Sequence, residues 1–278
     1  MNAVAEVRPL NADSAASGGG APALRKIGYV ALNTYRETVR DKVLYNLVLF
    51  ALLLIAASYV LGKISIYQEF KIIKDLGLAS ISGFGMVIAI FIGIGLVSKE
   101  IDKRTLYGIL PKPISRSQFL LGKYFGLCLT LLVNVAVMTA GLYALLFLME
   151  QPFDAGLLKA VFLIYLKLAL LVAIAILFST FTSSILAGLF AGFFYVAGYL
   201  SVELKNLETV VESSFLPQLT QLLYYVLPNF KNFDVKAAVV AGDPVPWNQI
   251  GWSTAYASIY VTLLLVASCW IFQRKNLK

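Results

Sequence analysis

Six long apolar runs fill most of the chain beyond residue 42, and short polar or charged segments separate them. The runs are Val43–Leu61, Leu78–Val97, Tyr124–Leu148, Leu157–Phe178, Ile185–Leu204 and Trp252–Phe272. Each approaches the ~20 residues that a helix needs to cross bilayer hydrocarbon. Upstream, Leu24–Lys42 alternates at helical pitch. Leu24, Ile27, Ala31, Leu32, Tyr35 and Val39 share one face, while Arg25, Lys26, Asn33, Arg36, Glu37, Arg40 and Asp41 share the other. That pattern predicts an amphipathic helix lying in the membrane interface; the competing reading is a helix packed on a partner. Residues Met1–Ala23 are small, polar and Gly-rich and lack the apolar centre of a cleavable signal, so they read as a disordered cytosolic tail. The expectation is an all-α integral membrane protein, with six spans preceded by one interfacial helix.

The segment Lys205–Gly251 is long for a connection. Pro217 suits a first helical position, and Leu219, Leu222, Leu223 and Val226 follow at helical spacing until Pro228. This predicts a short helix at or dipping into the outer interface. Asp234–Val240 reads as a second one, and Gly242-Asp243-Pro244 as a turn.

Composition supports the membrane reading. The chain is 59% hydrophobic and 14% charged, with a mean hydropathy of +0.80, whereas soluble domains carry about 25% charged residues. The net charge of +8 follows the ends of the apolar runs, so topology explains it better than nucleic acid does. Six Lys and Arg precede the first run, six lie in Ser98–Lys123 and three follow the last run. The alternate connections hold three, none and three. The positive-inside rule then places both termini in the cytosol of a multi-pass plasma (bacterial inner) membrane protein.

Several chemistries are excluded. There is no histidine, which removes His-ligated haem, zinc hydrolysis of the HExxH type and any Ser–His dyad. No phosphate-cradling GxxxxGK[ST] loop occurs, so any ATP used must be bound by another chain. Cys128 and Cys269 both fall in apolar runs and read as packing residues, not a disulfide framework. No catalytic or metal-ligating set is predicted, and no cofactor in this chain.

The 26-residue loop Ser98–Lys123 has the densest charge between spans. Glu100 and Arg104 are four apart, so Glu100–Leu110 can form a short charged helix with Thr105, Leu106, Ile109 and Leu110 along an apolar edge. Pro111 and Pro113 end it, and Ile114-Ser115-Arg116 turns back toward the membrane. Such a helix is either a lever for a cytosolic partner or a solvated basic loop that fixes topology. Within the spans, Gly83, Gly85, Gly93 and Gly95, and later Gly188 and Gly192, permit close helix approach, either within one subunit or along a route wall or subunit interface. Lys167 lies roughly 15 Å into its span and needs a partner. It reads as a gate or substrate contact, or else as one half of a structural pair or a side chain snorkelling to the outer side, and no acidic partner is evident within the spans.

These residues resemble a known family. Glu100, Thr105-Leu106, Leu110, Pro113-Ile114-Ser115-Arg116, Phe119-Leu120 and Gly122-Lys123 are similar to the pattern between spans two and three in the permease subunit of type-2, export-class ATP-binding cassette (ABC) transporters. Leu227-Pro228-Asn229-Phe230, Phe233-Asp234-Val235 and the ending Ile271–Leu277 fit as well. The resemblance implies a dimer of permeases, identical or homologous, with two separate cytosolic ATPase subunits that bind ATP and Mg. It leaves periplasmic or accessory subunits open. It makes 24–42 an elbow helix and places the coupling segment at Glu100, Arg104, Thr105, Leu106, Leu110, Pro113, Ser115 and Arg116. It implies that spans two and five face the substrate route. A self-sufficient secondary carrier would favour acidic relays or an internal repeat, and neither is seen. A membrane scaffold is the third reading.

Overall fold

The computed structural model describes residues 23–65, 68–102, 115–206 and 227–274; for 96–102 and 201–206 it describes the backbone alone. The expected tail, the helix expected at 217–226 and Arg104, Thr105, Leu106, Leu110 and Pro113 lie outside these residues.

The described chain is helical: α1 (Ala23–Val39), α2 (Lys42–Ile64), α3 (Glu69–Asp102), α4 (Arg116–Leu148), α5 (Ala155–Ser179), α6 (Ser184–Asn206), a 3-10 turn (Phe230–Phe233), α7 (Lys236–Ala241) and α8 (Trp247–Arg274). Five of them, α2, α3, α4, α5 and α8, are long and apolar enough to cross a membrane, and Ser184–Leu200 of α6 is a shorter apolar stretch. Six spans were expected, and α6 is the run that falls below that length among the described residues.

Local chemistry sets the boundaries. Asp41 caps α2 by accepting from the Val43 amide at 3.0 Å. Ser115 and Gln118 form a reciprocal capping box that starts α4 at Arg116, earlier than the expected Tyr124. Asp154 caps α5 through the Gly156 amide at 2.8 Å. Gly242, with φ of 89°, ends α7 in the left-handed region and confirms the expected turn.

The bundle is built around α5, which packs on α3, α4, α6 and α8. Its side chains from Leu168 to Ile176 are all buried. Apolarity around its whole circumference is what a helix enclosed by other helices requires. One end of the bundle carries the end of α3, the start of α4, the start of α6 and the end of α8; we call it the basic end. The opposite end carries the end of α2, the start of α3, the turn at 149–154 and the segment 227–246.

That segment does not lie flat. Leu227, Phe230, Phe233, Val235, Val239 and Val245 are all buried. It wedges between α5, α6 and α8. Gly198 of α6 makes the close approach that allows this, since a Cβ there would sit 2.4 Å from the Pro228 carbonyl oxygen. The Asn229 amide donates to Tyr256 Oη at 2.8 Å, Ser253 Oγ to the Asn232 carbonyl at 3.0 Å, and Lys159 Nζ to the Val245 carbonyl at 2.9 Å. Unpaired backbone inside an apolar body is costly, and these bonds satisfy part of it.

α1 packs on α4. Its contact seam runs through Ile27, Val30, Ala31 and Thr34, which meet Gly122 and Gly126. Leu24 and Leu32, expected on the apolar face, are exposed.

Candidate functional site

At the basic end, Ser115 and Arg116 are the two members of the expected coupling set with described side chains. Glu100 lies in α3, near its end. Ser115 serves as the cap of α4. Arg116 reaches α8, where its Nη1 donates to the carbonyls of Phe272 at 3.1 Å and Gln273 at 3.3 Å. Its guanidinium stands 5.9 Å from the Phe272 ring. Gln273 Nε2 returns a bond to Ser117 Oγ at 2.9 Å. Neither Ser117 nor Gln273 was singled out by sequence reasoning. The run Ile271–Leu277 carried the family resemblance, but nothing in it marks Gln273 as a partner of the loop. Lys123 is 2% exposed, with its ammonium 5.1 Å from the Phe119 ring centre.

The glycines expected to permit close approach separate by environment. A Cβ on Gly85 would fall 2.5 Å from Leu168 Cδ1, and one on Gly93 would fall 2.6 Å from Ala175 Cβ, so both close the α3–α5 contact. Gly188 and Gly192 face Ile90 and Ile94 of α3. These four hold helices of one chain together. Gly83 and Gly95 meet no described residue. They bracket Val87 and Phe91 at intervals of four on a face of α3 that no described element covers. Near Phe91 and Gly95 a crevice of about 360 Å³ opens, with Glu37, Arg40 and Asp41 at its rim and Leu44 and Ile92 in its wall.

Lys167 is 1% exposed. Its Nζ donates to Ser82 Oγ of α3 at 2.7 Å and stands 5.7 Å from the Tyr195 ring of α6. The charges acting on it from the wedge are Asp234 and Lys236. Asp234 accepts from the Tyr199 hydroxyl. Among the described residues no span supplies a carboxylate to Lys167. The hydroxyl and the ring partner were not legible, because Ser82 and Tyr195 are 85 and 28 residues away in sequence.

At the wedge end, Lys74 Nζ meets Asp154 Oδ2 at 2.7 Å. Partial burial works against ionisation of Asp154, but the Lys74 ammonium and the Gly156 amide outweigh it and hold the carboxyl below its usual range. A depressed carboxyl adds stability above its ordinary range and loses it as pH falls through the folded value. Thermal unfolding in detergent should therefore show this tie weakening as pH falls through and below the ordinary carboxylate range. Asp154→Asn should flatten that part of the profile, and an unchanged profile would contradict the assignment.

Long apolar helices around a central helix that is buried throughout Leu168–Ile176, with charge gathered at the ends, define a polytopic α-helical membrane protein. No curated protein matches the chain. The family model described as ABC-2 family transporter protein matches residues 29–277. The chain belongs to that family of transporter permeases.

Proposed function

We propose that this chain is the membrane-spanning subunit of an ATP-driven exporter, working as a dimer with two separate cytosolic ATPase subunits docked on the segment between α3 and α4. The chain is not itself catalytic; ATP and Mg belong to the partner. The family match over residues 29–277 carries this reading. In it, α6 is the fifth of six spans, continuing beyond Leu200 toward Asn206, and α1 is the elbow helix. Both termini lie in the cytosol, because the basic end holds the residues richest in Lys and Arg.

ATP binding would close the two ATPases, and each would carry its docked segment inward. Only contacts that differ between nucleotide states can shift the bundle from one arrangement to the other. The uncovered α3 face through Gly83, Val87, Phe91 and Gly95 suits the route or the second permease. Glu100, Arg104, Thr105, Leu106, Leu110 and Pro113 are assigned to the docking surface. Lys167 is assigned to structure, since it is enclosed by α3, α5 and α6.

Purification of the tagged chain from its native membrane should bring down a stoichiometric cytosolic ATPase. Arg104→Glu should lower permease-dependent ATPase stimulation by at least about tenfold, since it replaces attraction at the docking surface by repulsion. A pure permease dimer with no ATPase, or unchanged stimulation in Arg104→Glu, would refute the reading.

A further inference from the structure

Arg116 opens α4, and a cation there opposes the positive end of its own helix dipole. The first turn of α4 holds no acidic residue to offset it. Its guanidinium instead reaches the negative end of another helix, the final turn of α8. There it bonds the carbonyls of Phe272 and Gln273, groups that a helix terminus leaves short of donors. Arg274, in the same final turn, stacks on Trp270 at 3.8 Å. The Ser115–Gln118 capping box fixes the direction in which Arg116 leaves the helix.

These bonds join the two helix ends directly. Beside them α4 and α8 part around a groove of about 370 Å³, lined by Leu121, Thr262, Leu265, Val266 and Trp270 among others. The groove interrupts apolar packing between these two ends, although Phe272 itself is buried. The polar bridge runs both ways, since Gln273 of α8 donates back to Ser117 of α4.

We propose that Arg116 and Gln273 form a latch fastening the start of α4 to the end of α8, so that movement of the 98–123 segment is carried directly to the last helix. Arg116 is thereby a positioning residue, distinct from the docking surface. This inference rests on the reading that an ATPase drives that segment. The alternative within that reading is that α8 moves only after the remaining helices have repacked.

Cys269 of α8 lies beside Ser117 and gives a direct test. In a Cys128→Ala background, Ser117→Cys can be joined to Cys269 by a short bifunctional thiol reagent in membranes holding the complex. The cross-link should form in high yield with or without ATP, and the joined complex should keep its stimulated ATPase activity within about twofold. Arg116→Ala with Gln273→Ala should assemble with the ATPase but lose about tenfold in stimulation, from two hydrogen bonds to a charged group. Joining residues 117 and 269 in that variant should restore it. Gln273→Ala alone, which leaves the guanidinium in place, should cost about threefold.

A cross-link that silences the complex in which Arg116 and Gln273 are intact, unchanged stimulation in the double variant, or loss that the cross-link does not repair would overturn the latch. So would failure of the double variant to assemble while Gln273→Ala retains full stimulation. Absence of any ATPase from the unmodified complex is a separate result, seen before any substitution, and it refutes the proposed function itself.

Discussion

Replacing Gly126 by leucine is expected to pull α1 away from α4 and to destabilise the protein by about 3 kcal/mol or more. A Cβ at Gly126 would stand 2.5 Å from the Ala31 carbonyl oxygen and 2.7 Å from Thr34 Cβ. One turn earlier, a Cβ at Gly122 would stand 2.5 Å from Val30 Cβ and 2.9 Å from the Ile27 carbonyl oxygen. Two of these obstacles are backbone of α1, which no rotamer change can move aside. The two glycines are four apart, so together they form a flat track on which α1 lies against α4. A leucine would have to displace the whole of α1, and with it the buried Thr34 and Thr38.

Gly83→Leu supplies the control. Nothing described lies within 4 Å of its Cβ position, so its unfolding midpoint should stay within the equivalent of about 0.5 kcal/mol of the parent. Thermal unfolding in detergent, followed by size-exclusion chromatography, reads both variants. A Gly126→Leu protein that melts with the parent would mean that α1 does not rest on this track.

The contrast between these glycines shows what sequence can and cannot reveal here. Both are small residues in apolar helices, and only the neighbouring helix decides which one is irreplaceable. The central spans were legible because continuous apolarity over about 20 residues has one stable use in a membrane. Their ends were not, because charges there are neutralised by residues distant in sequence. The apolar run begins at Leu78, after Lys71, Lys74 and Asp75, yet α3 begins at Glu69, and Lys74 is paired with Asp154 across 80 residues. Likewise α4 starts at Arg116, whose charge is taken up by α8. The short helix expected at Asp234–Val240 is found as Lys236–Ala241. The 3-10 turn before it, whose Phe230 and Phe233 anchor the wedge, has no periodicity long enough to read. The basic loop was legible as a candidate site from its charge. That its last arginine is bound to the end of α8 depends on tertiary contact alone.

Lys167 gives the second large effect, because here the buried group is charged. Ser82 supplies its hydrogen-bond acceptor, and the Tyr195 ring supplies a second, weaker contact. Ser82→Ala removes the acceptor and leaves the ammonium enclosed, which should cost about 2 kcal/mol. Lys167→Met removes the charge and keeps most of the volume. Replacing a buried ion by a packed apolar side chain is commonly neutral or stabilising, so this variant should melt no earlier than the parent. In the Lys167→Met background the serine has little left to stabilise, and adding Ser82→Ala should cost under about 0.5 kcal/mol. The cycle thus predicts a coupling of about 1.5 kcal/mol between residues 85 positions apart. Additive losses would show that Ser82 and Lys167 do not act together. If Lys167→Met is as stable as the parent and still moves substrate, the lysine is a structural tie between α3, α5 and α6. If it is equally stable but transport is lost, the charge itself has a place in the route.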